Sequence, residues 1–243
     1  EIFYLQIRST IIKMNFKVFI LAGGFGTRLS SVIKGIPKPM APINNKPFLD
    51  YKINGIRKYY PNCEIYLLTH HLSDYIEEYY KNEKAINIIK EPIALGTGGS
   101  IKNAISVLGL NNADKLLISN GDTHVQPDYK ALVNSGIEDV IILAAYQEYC
   151  DRYETLEIKN NMITSFSNRV SGKRNSYING GCYFFNNLSF FGEINENKFS
   201  IEDKFRLYKN KNIKAFMYND IFIDIGIPED YKLMENYIKK NEK

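Results

Sequence analysis

Leu21-Ala22-Gly23-Gly24-Phe25-Gly26-Thr27-Arg28-Leu29, with Lys38-Pro39-Met40 a short way downstream, decides how this chain is read. The run from Lys17 to Ala22 is apolar, as a buried parallel strand is, and it stops abruptly at glycine. A strand therefore feeds a turn. Gly23, Gly24 and Gly26 lack a Cβ, so backbone N–H groups there can close on an anion. Thr27 adds a hydroxyl and Arg28 a planar charged fork, while Lys38 supplies a compact second charge. A polyphosphate needs that combination. A Walker A loop would put Lys after the last Gly, and the dinucleotide fingerprint would put Gly at 29 where Leu29 stands, so both fail.

Gly-Gly-x-Gly-Thr-Arg-Leu followed by Pro-Lys-Pro-Met and a hydrophobic helix resembles the signature of the sugar-phosphate nucleotidyltransferases. The resemblance covers about residues 15–240. It implies an α/β, Rossmann-like fold: a central, mixed but mostly parallel sheet flanked by helices, with a small antiparallel sugar-binding insertion. It also implies Mg2+, a nucleoside triphosphate and a sugar 1-phosphate.

Away from the loop, 243 residues suit one domain, expected here over residues 14–243. Met14 resembles a natural start, and residues 1–13 read as an extension whose origin the sequence leaves open. Arg8 and Lys13 interrupt that segment and no small-residue cleavage site follows, so it does not read as a signal peptide. A net charge of +4, spread along the chain, points to no nucleic acid. No window approaches the ~20 apolar residues of a membrane span. Cys63, Cys150 and Cys182 are odd in number and show no metal-ligand spacing, which suits a reducing cytoplasm. A homo-oligomer is left open.

In chain order, the proline-rich stretch from Ser30 to Pro47 predicts an extended crossing that carries Lys38. Leu49, Ile53, Ile56 and Tyr60 recur at helical spacing, and Glu64 to Thr69 reads as the next strand, with His70 and His71 at the end where ligands collect. Glu91-Pro92-Ile93-Ala94-Leu95-Gly96-Thr97-Gly98-Gly99 follows a third strand and opens a helix, whose unpaired N–H groups suit a nucleotide. The resemblance places Glu91, Gly96, Thr97 and Gly98 at the nucleobase, Leu21, Ala22, Gly23, Gly24, Gly26, Thr27 and Arg28 along the triphosphate, and Asn120 and Gly121 beside them. Leu116 to Ser119 is a strand ending at Asn120-Gly121-Asp122. Asp122 resembles the family's magnesium aspartate, and Asp224, carried by the strand Ile221 to Ile225, is the second candidate ligand, expected beside Asp122 because carboxyl ends of parallel strands converge on one edge of such a sheet. Arg28, Lys38 and Asp122 are the catalytic candidates.

The second half, with a hairpin centred on Asn160-Asn161, predicts the sugar insertion. The sugar-phosphate candidates are Glu154, Arg169, Asn179, Gly180 and Glu202. Two depart from the family pattern: Glu154 stands where a glycine is expected, and Arg169 where a lysine is. The implied reaction is attack by a sugar 1-phosphate on the α-phosphorus of a nucleoside triphosphate. Gly-Ile-Pro-Lys-Pro-Met-Ala-Pro-Ile and Ile-Asp-Ile-Gly-Ile-Pro-Glu-Asp-Tyr are most similar to heptose 1-phosphate guanylyltransferases, hence GTP. Uridylyl or cytidylyl transfer to another sugar phosphate or to phosphocholine remains an alternative. So does a nucleotide-binding regulator without chemistry, against which Arg28, Lys38, Asp122 and Asp224 stand together.

Overall fold

The computed structural model describes residues 16–29, 32–167, 169, 171–208 and 212–241. The extension 1–13 and Met14 lie outside them.

The first strand, β1 (Phe16–Leu21), is flanked by β4 (Ile65–Thr69) and β6 (Lys115–Asn120), both parallel to it, with β5 (Ile86–Lys90) parallel beyond β4. The helices between them, α1 (Phe48–Arg57), α2 (Ser73–Tyr80) and α3 (Gly96–Val107), complete the βαβ crossovers that parallel neighbours require. Between β1 and α1, the chain forms a 3-10 turn at Lys38–Met40 and a ribbon of β2 (Pro42–Ile43) and β3 (Lys46–Pro47). The expected extended crossing is thus folded, because Pro39 enters a first turn at no hydrogen-bond cost and Asn44 and Asn45 take positive φ at the ribbon's turn.

Past β6 come β7 (Thr123–His124), α4 (Tyr129–Val133), β8 (Val140–Tyr149), β9 (Thr155–Lys159), β10 (Met162–Ser167) and β11 (Arg174–Phe185). The chain finishes with α5 (Ser189–Gly192), α6 (Ile201–Leu207), β12 (Ile213–Tyr218), β13 (Ile223–Asp224) and α7 (Pro228–Asn241). The nine-stranded sheet runs β5-β4-β1-β6-β11-β8-β12-β10-β9. Its first four strands form a parallel block, and farther along β12 is parallel to β8. β11 lies antiparallel between β6 and β8, and β10 is antiparallel to both β12 and β9. The expectation of a mostly parallel sheet is corrected accordingly: the β8-β9-β10-β11 stretch is joined by connections too short for crossovers, so its neighbours reverse direction. β9 also touches β11 at Thr155 and Ile178. Asn160 and Asn161, at φ 52° and 60°, make the expected tight turn.

Val18 and Ile20 point to one side of β1 with Leu49, Ile53 and Leu117, and Phe19 points to the other with Ile101, Ile118 and Tyr183. A third cluster joins Leu29, Phe48, Ile225 and Met234, anchoring the segment after the glycine loop to α7. No described helix is long and apolar enough to cross a membrane.

Candidate active site

The glycine loop leaves the carboxyl end of β1 and passes over the parallel block. Gly26 has φ +60°, and a Cβ there would lie 2.9 Å from Lys38 Cβ, so conformation and clearance both demand glycine. This brings the 3-10 turn against the loop. Lys38, 8% exposed, donates from Nζ to Asp122 Oδ2 at 2.7 Å and to Asp224 Oδ1 at 3.0 Å. Burial pushes its pKa down, and the two carboxylates outweigh burial, holding the ammonium above the ordinary lysine value.

The aspartates meet by a different route from the expected one. Asp224 does not end a strand of the main sheet. It sits in β13, which pairs antiparallel with β7 in register Asp224 to Thr123, and Ile225 N donates to Asp122 O at 3.1 Å. Since both carboxylates reach one nitrogen, their oxygens are no farther apart than two hydrogen bonds laid end to end. Such a pair suits magnesium, which takes one or two protein carboxylates and completes its octahedron with phosphate and water. Among the described residues no group of three or more His, Cys, Asp or Glu gathers as a metal site. Arg28 Nη2 lies 3.1 Å from where a Gly226 Cβ would stand, as does Asp224 Oδ1, so Gly226 leaves room for both charges side by side.

Three cavities meet at Asp122, which lines all of them. One of about 250 Å³ is walled by Leu21, Gly24, Phe25, Gly26, Thr27, Arg28 and Lys38, and fits a polyphosphate. A second of about 250 Å³, the most apolar of the three, runs from Gly23 and Gly24 past Glu91, Leu95, Gly96, Thr97 and Ser100 to Asn120. The third, about 440 Å³, opens between Arg28, Lys38, Asp122 and Asp224 on one side and Glu154, Arg169, Asn179, Glu202 and Arg206 on the other.

Several predicted residues serve as framework. Ala22 is fully buried with its N–H on Leu68 O at 2.8 Å, and Gly121 packs on Leu21 O. Neither walls a cavity. Gly98 faces away: a Cβ there would stand 2.1 Å from Phe199 Cε2, and the N–H groups of Gly98 and Gly99 donate to Phe199 O at 3.0 and 3.2 Å. Those donors are therefore already satisfied, contrary to the expectation that they await a nucleotide. Gly180 faces Leu143 at a register shift of β11, and Gly181, at φ +66°, closes on Asn120.

The polar candidates are tied together. Glu91, buried, accepts from Leu95 N at 3.1 Å. Thr97 Oγ1 accepts from Ile201 N at 2.9 Å and donates to Glu202 Oε2 at 2.8 Å, so one hydroxyl joins the second cavity to the third. Ser200, capping α6 through Asp203 N, also donates to Glu202. Glu154 pairs with Arg206 at 3.2 Å, and Arg206 also pairs with Asp203. Arg206 went unnoticed in the sequence, although its spacing from Glu202 and Asp203 sets all three on one side of α6.

Residues 17–241 match the family described as nucleotidyl transferase. The chain belongs to that family. Among nucleotidyl transferases, D-glycero-alpha-D-manno-heptose 1-phosphate guanylyltransferase of Campylobacter jejuni is 36% identical over 88% of this chain and 96% of its own length. The protein of the same description from Aneurinibacillus thermoaerophilus is 34% identical over 91% of this chain and 100% of its own. A crystal structure of HddC from Yersinia pseudotuberculosis complexed with GMP-PN has a TM-score of 0.77 at 33% identity, over 92% of this chain and 99% of that one. A Bacillus anthracis structure described as a putative glucose-1-phosphate thymidylyltransferase, 17% identical over 91% of this chain and 94% of that one with a TM-score of 0.79, shares the fold.

Proposed function

We propose that this nucleotidyl transferase moves a guanylyl group from GTP to D-glycero-D-manno-heptose 1-phosphate, releasing pyrophosphate. The observation that carries the reading is the ammonium of Lys38 held between Asp122 and Asp224, with Arg28 adjacent, where the three cavities meet. The names of the Campylobacter and Aneurinibacillus relatives support the choice of base and sugar.

In this reading the loop N–H groups, Thr27 and Arg28 hold the triphosphate in the first cavity, and the guanine lies in the second. Glu91 uses one carboxylate oxygen on Leu95 N. Its other oxygen is an acceptor for guanine N1–H and N2–H, which adenine, with an acceptor at N1, cannot satisfy. Arg169 and Arg206 hold the sugar phosphate in the third cavity, with Asn179 and Glu202 offering partners to hydroxyls. Lys38 and Arg28 neutralise charge that develops on the departing pyrophosphate, a contribution worth most where water is scarce. No protein nucleophile is required, because the sugar phosphate oxygen attacks directly; the enzyme's part is alignment of two anions and charge neutralisation. Asp122 and Asp224 are the residues that would hold Mg2+, which when bound shields the phosphate negative charge from the incoming anion. The three cysteines are free and buried, consistent with a cytoplasmic enzyme.

The test is pyrophosphate release across a panel of triphosphates and sugar 1-phosphates. GTP with the heptose 1-phosphate should give the highest kcat/KM. A preference for UTP or CTP, or for a hexose 1-phosphate, would replace the reading.

A further inference from the structure

Phe25 is the one bulky apolar side chain in a loop otherwise made of glycines and small or charged residues, and it is 57% exposed. A single exposed aromatic is ordinary on a protein surface. This one stands where two cavities share a wall, bordering both the polyphosphate cavity and the apolar cavity that ends at Glu91. Among the described residues it is the only aromatic that lines the apolar cavity, whose remaining walls are aliphatic, glycine or polar. Gly24 and Gly26 flank it, so no side chain of its immediate neighbours crowds the ring. The ring meets two imidazoles, edge-on to His70 at 5.7 Å and tilted against His71 at 5.2 Å between centroids.

We propose that Phe25 is the stacking platform for the nucleobase: the ring leaves the two imidazoles and lies on the face of the guanine, closing the apolar cavity over bound GTP. The assignment rests on the guanylyl-transfer reading for the identity of the base, but not for the contact itself. A base edge is read by hydrogen bonds, whereas a phenyl ring stacks on any base because every base has a π face. Phe25 thus contributes affinity and Glu91 selectivity. Base–aromatic stacking lost on truncation to alanine lowers affinity by about tenfold at the modest end of its range.

The chain contains no tryptophan, so Phe25→Trp places a single indole at the proposed platform. Titrating that variant with GTP should quench the indole strongly, while pyrophosphate, which has no base, should leave the emission nearly unchanged. Phe25→Ala should raise the KM for GTP about tenfold. Its kcat and its KM for the sugar phosphate should stay within about twofold, since stacking does not reach the reacting atoms. Phe25→Leu, keeping bulk without a π face, should fall between. Wild-type enzyme run first on the triphosphate panel separates the two readings. If another triphosphate is preferred, the guanylyl reading fails and the titration is done with that nucleotide. An unquenched indole with the preferred triphosphate bound, an unchanged KM in Phe25→Ala, or equal quenching by pyrophosphate would each overturn the stacking proposal.

Discussion

Replacing Lys38 with methionine keeps the unbranched stem and removes only the ammonium that separates Asp122 from Asp224. Two unit charges about 3 Å apart attract by roughly 5 kcal/mol at an effective dielectric of about 20. The cost of bringing the ammonium out of water offsets much of that, and Asp122 keeps 35% side-chain exposure. The net loss of stability in Lys38→Met is therefore on the order of 1–2 kcal/mol, or roughly 2–4 °C in melting temperature. The native interaction is fully present below the ordinary lysine value of 10.5 and is lost as pH rises through the higher folded-state value, so the wild-type advantage should be flat across neutral pH. Turnover should fall by about 10²–10³, the usual cost of removing one preorganised donor from a site of developing charge. A second consequence follows from the geometry. Without Lys38 the paired carboxylates repel one another with no internal cation, so millimolar magnesium alone, with no nucleotide, should raise the melting temperature of Lys38→Met more than that of wild type. Scanning fluorimetry with and without MgCl2, beside a pyrophosphate-release assay, reads both effects. A variant that keeps near-normal kcat, or whose melting is no more magnesium-sensitive than wild type, would refute the reasoning.

Asp122→Asn and Asp224→Asn preserve shape and should each retain the fold while losing most magnesium-dependent turnover, read by circular dichroism and by activity across a magnesium titration. Glu154→Gly frees Arg206 from one of its two carboxylates; the ratio of kcat/KM between heptose and hexose 1-phosphates should shift severalfold while the KM for GTP holds, and an unchanged ratio would mean that the pair only braces α6. Among the described residues Lys52 has no hydrogen-bond partner for its buried ammonium, and burial pushes its pKa down to about 8 from 10.5. Lys52→Met should stabilise the protein by up to about 3 kcal/mol below pH 8. That gain should shrink as pH rises from about 8 to 10.5, where the wild-type lysine folds uncharged. Gly98→Ala drives a methyl into the Phe199 ring and should cost about 1–3 kcal/mol in denaturant melts.

Parts of this molecule were legible before folding because their physics is local. The apolar run into Gly23, the helix after Pro47 and the Asn160-Asn161 turn each depend on residues within a few positions, and each formed. The order of strands was not legible in the same way. Nothing local in Arg174–Phe185 says that it will lie between β6 and β8, since that depends on partners 25 or more residues away. Asp224 comes beside Asp122 through β13 and β7 and not, as expected, through the main sheet. The Glu154 and Arg206 pair joins a loop to a helix about fifty positions later, a distance over which charge pattern in one sequence carries no signal.

Gly98 and Gly99 look like a nucleotide cradle because glycines at a helix start leave N–H groups free, and that inference holds only while nothing else takes them. Phe199 O takes both. The glycines are small so that the Asn197–Phe199 backbone can reach the start of α3, where an added Cβ would strike Phe199 or Asn197. Once docked, the segment places Ile201 N and Glu202 on the Thr97 hydroxyl. The wall of the apolar cavity and the wall of the largest cavity are then one hydrogen-bonded unit, fastened at Phe199 and at Thr97. An enzyme that must bring two anions into line gains from this construction: neither wall can shift without breaking backbone bonds to the other, so the two cavities keep one spacing across Asp122. The glycines that resemble a binding motif therefore act on binding at second hand, through the rigidity of the seam they allow.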